Sequence, residues 1–165
     1  VVFRLYGLDI RGPRHFTVDR RSMLHFPLPP GGATRTLRLH GPNGFVRVWT
    51  IPRGTLALEV TESYDTGTLR LALRNRHRTR LRVGMDMMGY AGYAPVRLDL
   101  PPLGGMTHEW NLAPSDHWYD LCLTCGTHPH PAIRLAGHLE TGRPSRSDPR
   151  LGGIPPSHMS KGHEA

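Results

Sequence analysis

Residues 67–87, GTLRLALRNRHRTRLRVGMDM, decide the fold class. Apolar and polar side chains alternate with a period of two, the pattern of a half-buried strand. Leu69, Leu71 and Leu73 fall on one face, with Arg70, Ala72 and Arg74 on the other. After a short polar break, Leu81, Val83, Met85 and Met87 repeat the pattern. The break itself, RHRT at 76–79, suits a hairpin connection. On that reading the two strands are neighbours, and Arg70, Arg74, Arg80 and Arg82 share the face opposite the leucines. Arg76 and Arg78 then sit in the loop.

The same alternation recurs outward from this stretch. TLALEVTES (55–63) places Leu56, Leu58 and Val60 on one face. WYDLCLTC (118–125) places Tyr119, Leu121, Leu123 and Cys125 on one face. Further strands are predicted near 1–8, 15–19, 34–40, 44–50, 95–100, 106–112 and 132–138. GPNGF (41–45) reads as a tight turn, since Pro42 presets φ and Asn43-Gly44 tolerates positive φ. No window sustains the i, i+3, i+4, i+7 apolar spacing of a helix. With 19 glycines and 16 prolines punctuating the chain, the expectation is all-β: a small antiparallel β-sandwich preceded by a partial β-sandwich repeat.

Residues 53–142 hold about seven of these strands, enough for one complete small sandwich. Residues 1–50 hold about four, the back half of a truncated repeat, and IPRG (51–54) is the expected join. From 143 to 165 the chain turns polar and Gly/Pro-rich, and GGIPPSHMSKGHEA (152–165) reads as a disordered tail. The chain opens Val1-Val2-Phe3, as if within a strand, which suggests a fragment or an internal start. Apolar residues make up 38%, enough for a core, and aromatics only 7%.

The formal net charge is +8, and the basic residues are 20 arginines and one lysine. A nucleic-acid binder ordinarily mixes the two and gathers them on one face. So extreme an arginine bias, beside abundant Gly, Pro and Ala, fits a GC-rich coding background, and nucleic acid is not an expected partner. The array Arg70, Arg74, Arg76, Arg78, Arg80 and Arg82 is the candidate for contact with an anionic membrane surface, because guanidinium groups match phosphate oxygens. A solvated outer sheet face accounts for the same alternation.

Candidate chemistry is sparse. CLTCGTHPH supplies Cys122, Cys125, His128 and His130, ligand types that suit zinc. Cysteines three apart on a strand point to opposite faces, so no metal site is expected. Trp110, Trp118 and Tyr119 could form an aromatic cage for quaternary ammonium, but strand aromatics more often pack in a core. His138, Glu140, Ser145, Ser147 and Asp148 are catalytic residue types strung along one loop. They lack the strand–turn–helix that holds a nucleophile, and no catalytic residue and no cofactor is expected in this chain.

Four segments together resemble one family. RLAGHLETGRPSRSDPRLG (134–152) is similar to the closing signature of bacterial phosphocholine-preferring phospholipase C. GPRHFTV (12–18), LRLHGPNGFVRVW (37–49) and DHWYDLCL (116–123) resemble strands of that family's tandem C-terminal repeats, in the same order. The resemblance covers about residues 1–152. It implies an exported enzyme, secreted or periplasmic, with a large catalytic domain similar to the alkaline-phosphatase superfamily. Two small β repeats follow that domain and are non-catalytic. The implied chemistry is hydrolysis of phosphatidylcholine or sphingomyelin by the domain that this chain does not contain. The implied partner is that catalytic domain, in cis or in trans. Arg134, His138, Glu140, Arg143, Ser145 and Asp148 are the expected docking residues, because polar groups so dense beside a strand need hydrogen-bond partners. Here the hairpin is richer in arginine than the family pattern, and CLTCGTHPH departs from it. The rival reading is a free-standing β-sandwich module for anionic lipid or other polyanionic surfaces.

Overall fold

The computed structural model describes residues 1–7, 12–19, 33–53, 56–126, 132–142, 144 and 146–148. The expected C-terminal tail, His128, His130, Arg143 and Ser145 lie outside the described residues. Among the described residues there are eleven strands, and each coincides with a predicted one to within a few residues: β1 (Val2–Tyr6), β2 (Arg14–Thr17), β3 (Arg35–His40), β4 (Val46–Ile51), β5 (Leu58–Asp65), β6 (Thr68–Asn75), β7 (Leu81–Met87), β8 (Val96–Leu100), β9 (Gly105–Asn111), β10 (Trp118–Cys125) and β11 (Ile133–His138). A 3-10 turn, Ala113–Ser115, precedes β10.

The strands form two antiparallel sheets, one of eight strands in the order β2-β1-β3-β4-β11-β10-β7-β8 and one of three in the order β5-β6-β9. The fold is all-β, as the alternation predicts. The hairpin expected at 76–79 is absent. β6 pairs with β5 and β9, whereas β7 pairs with β10 and β8. RHRT is therefore a crossover from one sheet to the other. Both strands turn their leucines inward, but from opposite layers. Arg70 and Arg74 thus point out on one side of the sandwich, and Arg82 on the other, so the expected shared arginine face does not exist.

The crossover is built around Asn75, which is fully buried at 0% exposure. Its Nδ2 donates to the carbonyls of Thr79 (2.7 Å) and Pro101 (3.0 Å), and its Oδ1 accepts from the His77 amide (2.9 Å). One side chain thereby satisfies backbone groups that no ladder reaches.

The core lies between the sheets. Leu58, Leu69, Leu71 and Leu73 of the small sheet meet Leu81, Val83, Met85, Leu100, Leu121, Leu123, Ile133 and Leu135 of the large one. Each such side chain contributes roughly 1.5–3 kcal/mol on leaving water. The strands of residues 1–50 do not close a layer of their own. β4 pairs with β11 in register Trp49↔Ile133, so the large sheet runs unbroken across the expected join. A smaller cluster of Leu5 and Leu37 lies on this extension, and Trp49 packs against both clusters.

Candidate functional site

One end of the sandwich gathers three of the segments that carry the family resemblance. The turn between β3 and β4 closes through Gly41 N to Phe45 O (2.9 Å) and Phe45 N to Pro42 O (3.0 Å). Asn43 and Gly44 take φ of 52° and 70°, as a tight GPNGF turn requires. A Cβ on Gly44 would stand 3.0 Å from the Trp118 ring, so glycine lets this turn sit directly on β10. On the other side Leu139 N donates to His117 O (2.9 Å). His117 and Asp116 both have left-handed backbone, at φ 68° and 49°. Such residues cluster where a fold holds a special geometry.

Between the sheets at this end lies a polar cluster centred on a buried arginine. Sheet alternation puts Phe45, Arg47 and Trp49 on the inner face of β4, and Leu58, Val60, Glu62 and Tyr64 on the inner face of β5. Arg47 is 2% exposed. Its Nε donates to Glu62 Oε1 (2.6 Å), and its Nη2 donates to the other oxygen of the same carboxylate. Nη1 reaches the carbonyls of Val46 (2.8 Å) and Ala136 (2.6 Å), and Nη2 also reaches the hydroxyls of Tyr64 (2.9 Å) and Tyr119 (2.7 Å). Tyr64 in turn donates to Glu62 Oε2 (2.6 Å). Every donor of the guanidinium has an acceptor, the condition under which a buried cation is tolerated.

Burial alone lowers the Arg47 pKa; the Glu62 hydrogen bonds and charge outweigh it, and the net shift is upward. Arg47 stays charged. Burial pushes the Tyr64 hydroxyl up, reinforced by the Glu62 carboxylate, so Tyr64 stays protonated as a donor.

Beside this cluster a cavity of about 250 Å³ opens among Phe3, Pro42, Phe45, Tyr64, Tyr119 and Leu139. Its rings do not make a cation cage, because the chain's own Arg47 already lies over the Phe45 ring, 4.1 Å from its centroid. Nor do Trp110, Trp118 and Tyr119 converge. Trp110 is buried in the small sheet, and the adjacent Trp118 and Tyr119 point to opposite faces of β10.

The expected docking residues find partners inside the chain where they are described. Arg134 makes a two-pronged pair with Asp120, both bonds 2.7 Å, which raises its pKa. His138 is buried against the Trp118 ring, 4.6 Å between centroids. Its Nδ1 lies 3.3 Å from Glu140 Oε1, which also accepts from Asn43 Nδ2 (2.9 Å). Asp148 accepts from the Tyr90 hydroxyl (3.1 Å), and the Arg146 carbonyl accepts from Trp118 Nε1 (3.0 Å). The closing signature thus straps back over β10 and the end of β7.

Of the arginine array, Arg70 pairs with Glu109 (2.6 Å), Arg76 with Glu59 (3.2 Å) and Arg82 with Asp99 (3.8 Å). Cys122 faces outward and Cys125 faces the core, as strand geometry demands. Burial raises both thiols, Cys125 to about 11. Among the described residues no three His, Cys, Asp or Glu side chains converge as metal ligands, and no helix is long and apolar enough to cross a membrane.

Sequence reasoning missed Arg47, Glu62 and Tyr64. A signal existed: continuing the period of two through TLALEVTES puts the charged Glu62 on the leucine face. A charge at a core position implies a buried partner, though not which one.

Comparison with known proteins follows the same segments. The family profile described as bacterial phospholipase C, C-terminal domain, matches residues 54–138. The hemolytic phospholipase C of Pseudomonas aeruginosa is 39% identical over 174 aligned residues, covering 91% of this chain and 23% of that protein. The non-hemolytic phospholipase C of Burkholderia pseudomallei is 34% identical over 157 residues, covering 88% of this chain and 22% of that protein. The non-hemolytic phospholipase C of Pseudomonas aeruginosa is 30% identical over 167 residues, covering 92% and 24%. The chain therefore spans less than a quarter of these relatives, at their C-terminal part.

Proposed function

Because this chain belongs to the family of bacterial phospholipase C C-terminal domains, we propose that it is a non-catalytic β module that packs on and orients a phospholipid phosphodiesterase domain. The parent activity is hydrolysis of a phosphocholine lipid in lipid catabolism, and the parent protein is exported. The observation that carries this reading is the convergence of GPNGF, WYDL and AGHLE at one end of the sandwich, beside an aromatic cavity. Those segments are held to each other by Trp118, Asn43, Glu140 and the Arg47 cluster. An apolar hollow lined by aromatic rings suits an anchor residue from a partner surface. We assign the docking face to this end, with Phe3, Phe45, Tyr64 and Leu139 at the hollow and the closing signature as its wall.

The test uses the catalytic part of a matched phospholipase supplied in trans. The 165-residue chain alone leaves p-nitrophenyl phosphorylcholine intact. Mixed with the catalytic part, it co-elutes and slows proteolysis of that partner. Leu139→Lys weakens co-elution, while the circular dichroism of the variant stays that of the parent. Turnover by the chain alone, or full co-elution by the Lys variant, refutes the reading. The rival, a free-standing binding module, predicts no complex and a coding region that does not read upstream into a phosphodiesterase.

A further inference from the structure

The outer face of the large sheet divides into a half of paired charges and, among the described residues, a half of unpaired cations. On β11, β10, β7 and β8 each outward arginine has an aspartate: Arg134 with Asp120, Arg97 with Asp86 (3.1 Å) and Arg82 with Asp99. On β2, β1, β3 and β4 the pattern breaks. Strand register places His15, Arg4 and His40 in one row directly across three strands. The next row runs Tyr6, Arg38, Val48. Directly opposite side chains in a ladder share a face, about 4.5–5.5 Å apart at Cβ.

Arg4, Arg38, His15 and His40 are all exposed, and none has an ion pair or a side-chain hydrogen bond among the described residues. No carboxylate stands on the outward positions of these four strands, which are Val2, Arg4, Tyr6, His15, Thr17, Thr36, Arg38, His40, Val46, Val48 and Thr50. Arg4 and Arg38 are diagonal neighbours on this face, about 7–8 Å apart, with no carboxylate on these strands to balance their charge. The neighbouring groups are apolar or amphipathic, with Val2 52% exposed and Tyr6 edge-on to the His40 ring at 5.3 Å. A face with cations, valines and a tyrosine suits a bilayer interface, where phosphates meet the cations and the aromatic sits at headgroup level.

We infer that the outer face of β1–β3, centred on Arg4 and Arg38, is a contact surface for the phosphate groups of an anionic lipid bilayer. It lies on the opposite side of the large sheet from the aromatic hollow, so both contacts can be made at once. It is also not the array expected from sequence, three of whose members are already paired with carboxylates. The inference stands apart from the docking proposal, because its test uses this chain alone.

The test is sedimentation with phosphatidylcholine vesicles, with and without phosphatidylserine, at low and high salt. Each arginine at such a surface strengthens binding about five-fold. The parent chain partitions onto the phosphatidylserine vesicles and is released by salt. Arg4→Ser with Arg38→Ser lowers the partition coefficient about 25-fold. Arg74→Ser with Arg80→Ser removes the same charge elsewhere and leaves partitioning within two-fold of parent, roughly the loss a distant screened charge brings. Equal losses in the two double variants overturn the inference, since net charge would then suffice. Absent vesicle binding overturns it too, as does duplex DNA binding through Arg4 and Arg38 without vesicle binding.

Discussion

Replacing Glu62 with glutamine keeps the shape of the side chain and removes the charge that faces Arg47. The Arg47 side chain is 3% exposed and that of Glu62 is 19% exposed. With charge centres about 4 Å apart and an effective dielectric near 20, the pair is worth about 4 kcal/mol of attraction. Removing one member of a buried pair costs about 3–5 kcal/mol, because the other charge stays behind unpaired. Glutamine still offers one oxygen, and the partial exposure of residue 62 admits some water. The expected loss for Glu62→Gln is therefore about 2–4 kcal/mol, or a fall in melting temperature of roughly 4–16 °C for a domain of this size. Urea unfolding followed by tryptophan fluorescence measures it. The internal control is Arg70–Glu109, a pair of similar length whose side chains are 56% and 49% exposed. Glu109→Gln costs under about 1 kcal/mol. A double-mutant cycle of Arg47→Met with Glu62→Gln gives a coupling of at least about 2 kcal/mol, well above that of the surface pair. If Glu62→Gln costs no more than Glu109→Gln, the two sheets are not clamped by this pair and the reasoning fails.

Three further outcomes are expected. Gly137→Ala sets a Cβ 3.0 Å from the Tyr119 hydroxyl, which Arg47 also holds; it destabilises by about 1–3 kcal/mol, and by less in a Tyr119→Phe background where the obstructing oxygen is gone. Leu71→Ala, at a site with 0% exposure, costs about 2–5 kcal/mol in the same unfolding assay, whereas Arg74→Ala on the opposite face of the strand stays within about 0.5 kcal/mol. The Cys125 thiol, pushed up to about 11 by burial, alkylates at pH 8 at least about a hundred-fold more slowly than a free cysteine, because only the thiolate reacts. Its rate climbs through pH 10 and levels above 11, and a rate at pH 8 matching that of free cysteine would contradict the burial.

Much of this molecule was legible as local chemistry. Every strand was, because period-two alternation is a property of neighbouring residues and needs no knowledge of the partner strand. The GPNGF turn was legible too, since proline and Asn-Gly fix their own backbone angles. So was the separation of Cys122 from Cys125, which strand geometry alone dictates. The closing signature was legible as a dense polar stretch. The partners of its described residues within the chain, Asp120, Asn43, Trp118 and Tyr90, were not, because they come from other strands and turns.

What the sequence by itself determined, then, was which residues form strands and which face of each strand is buried. Only the tertiary structure decided which strands are neighbours. An inward leucine face is equally content beside its sequence neighbour in one sheet or across the core from it in another, so 76–79 reads the same as a hairpin or as a crossover. The difference rests on pairings between distant segments, β6 with β9 and β7 with β10. Those pairings send Arg70 and Arg82 to opposite sides of the molecule, while the packing of β4 against β5 brings Arg47 to Glu62 and the pairing of β1 with β3 sets Arg4 and Arg38 on one face.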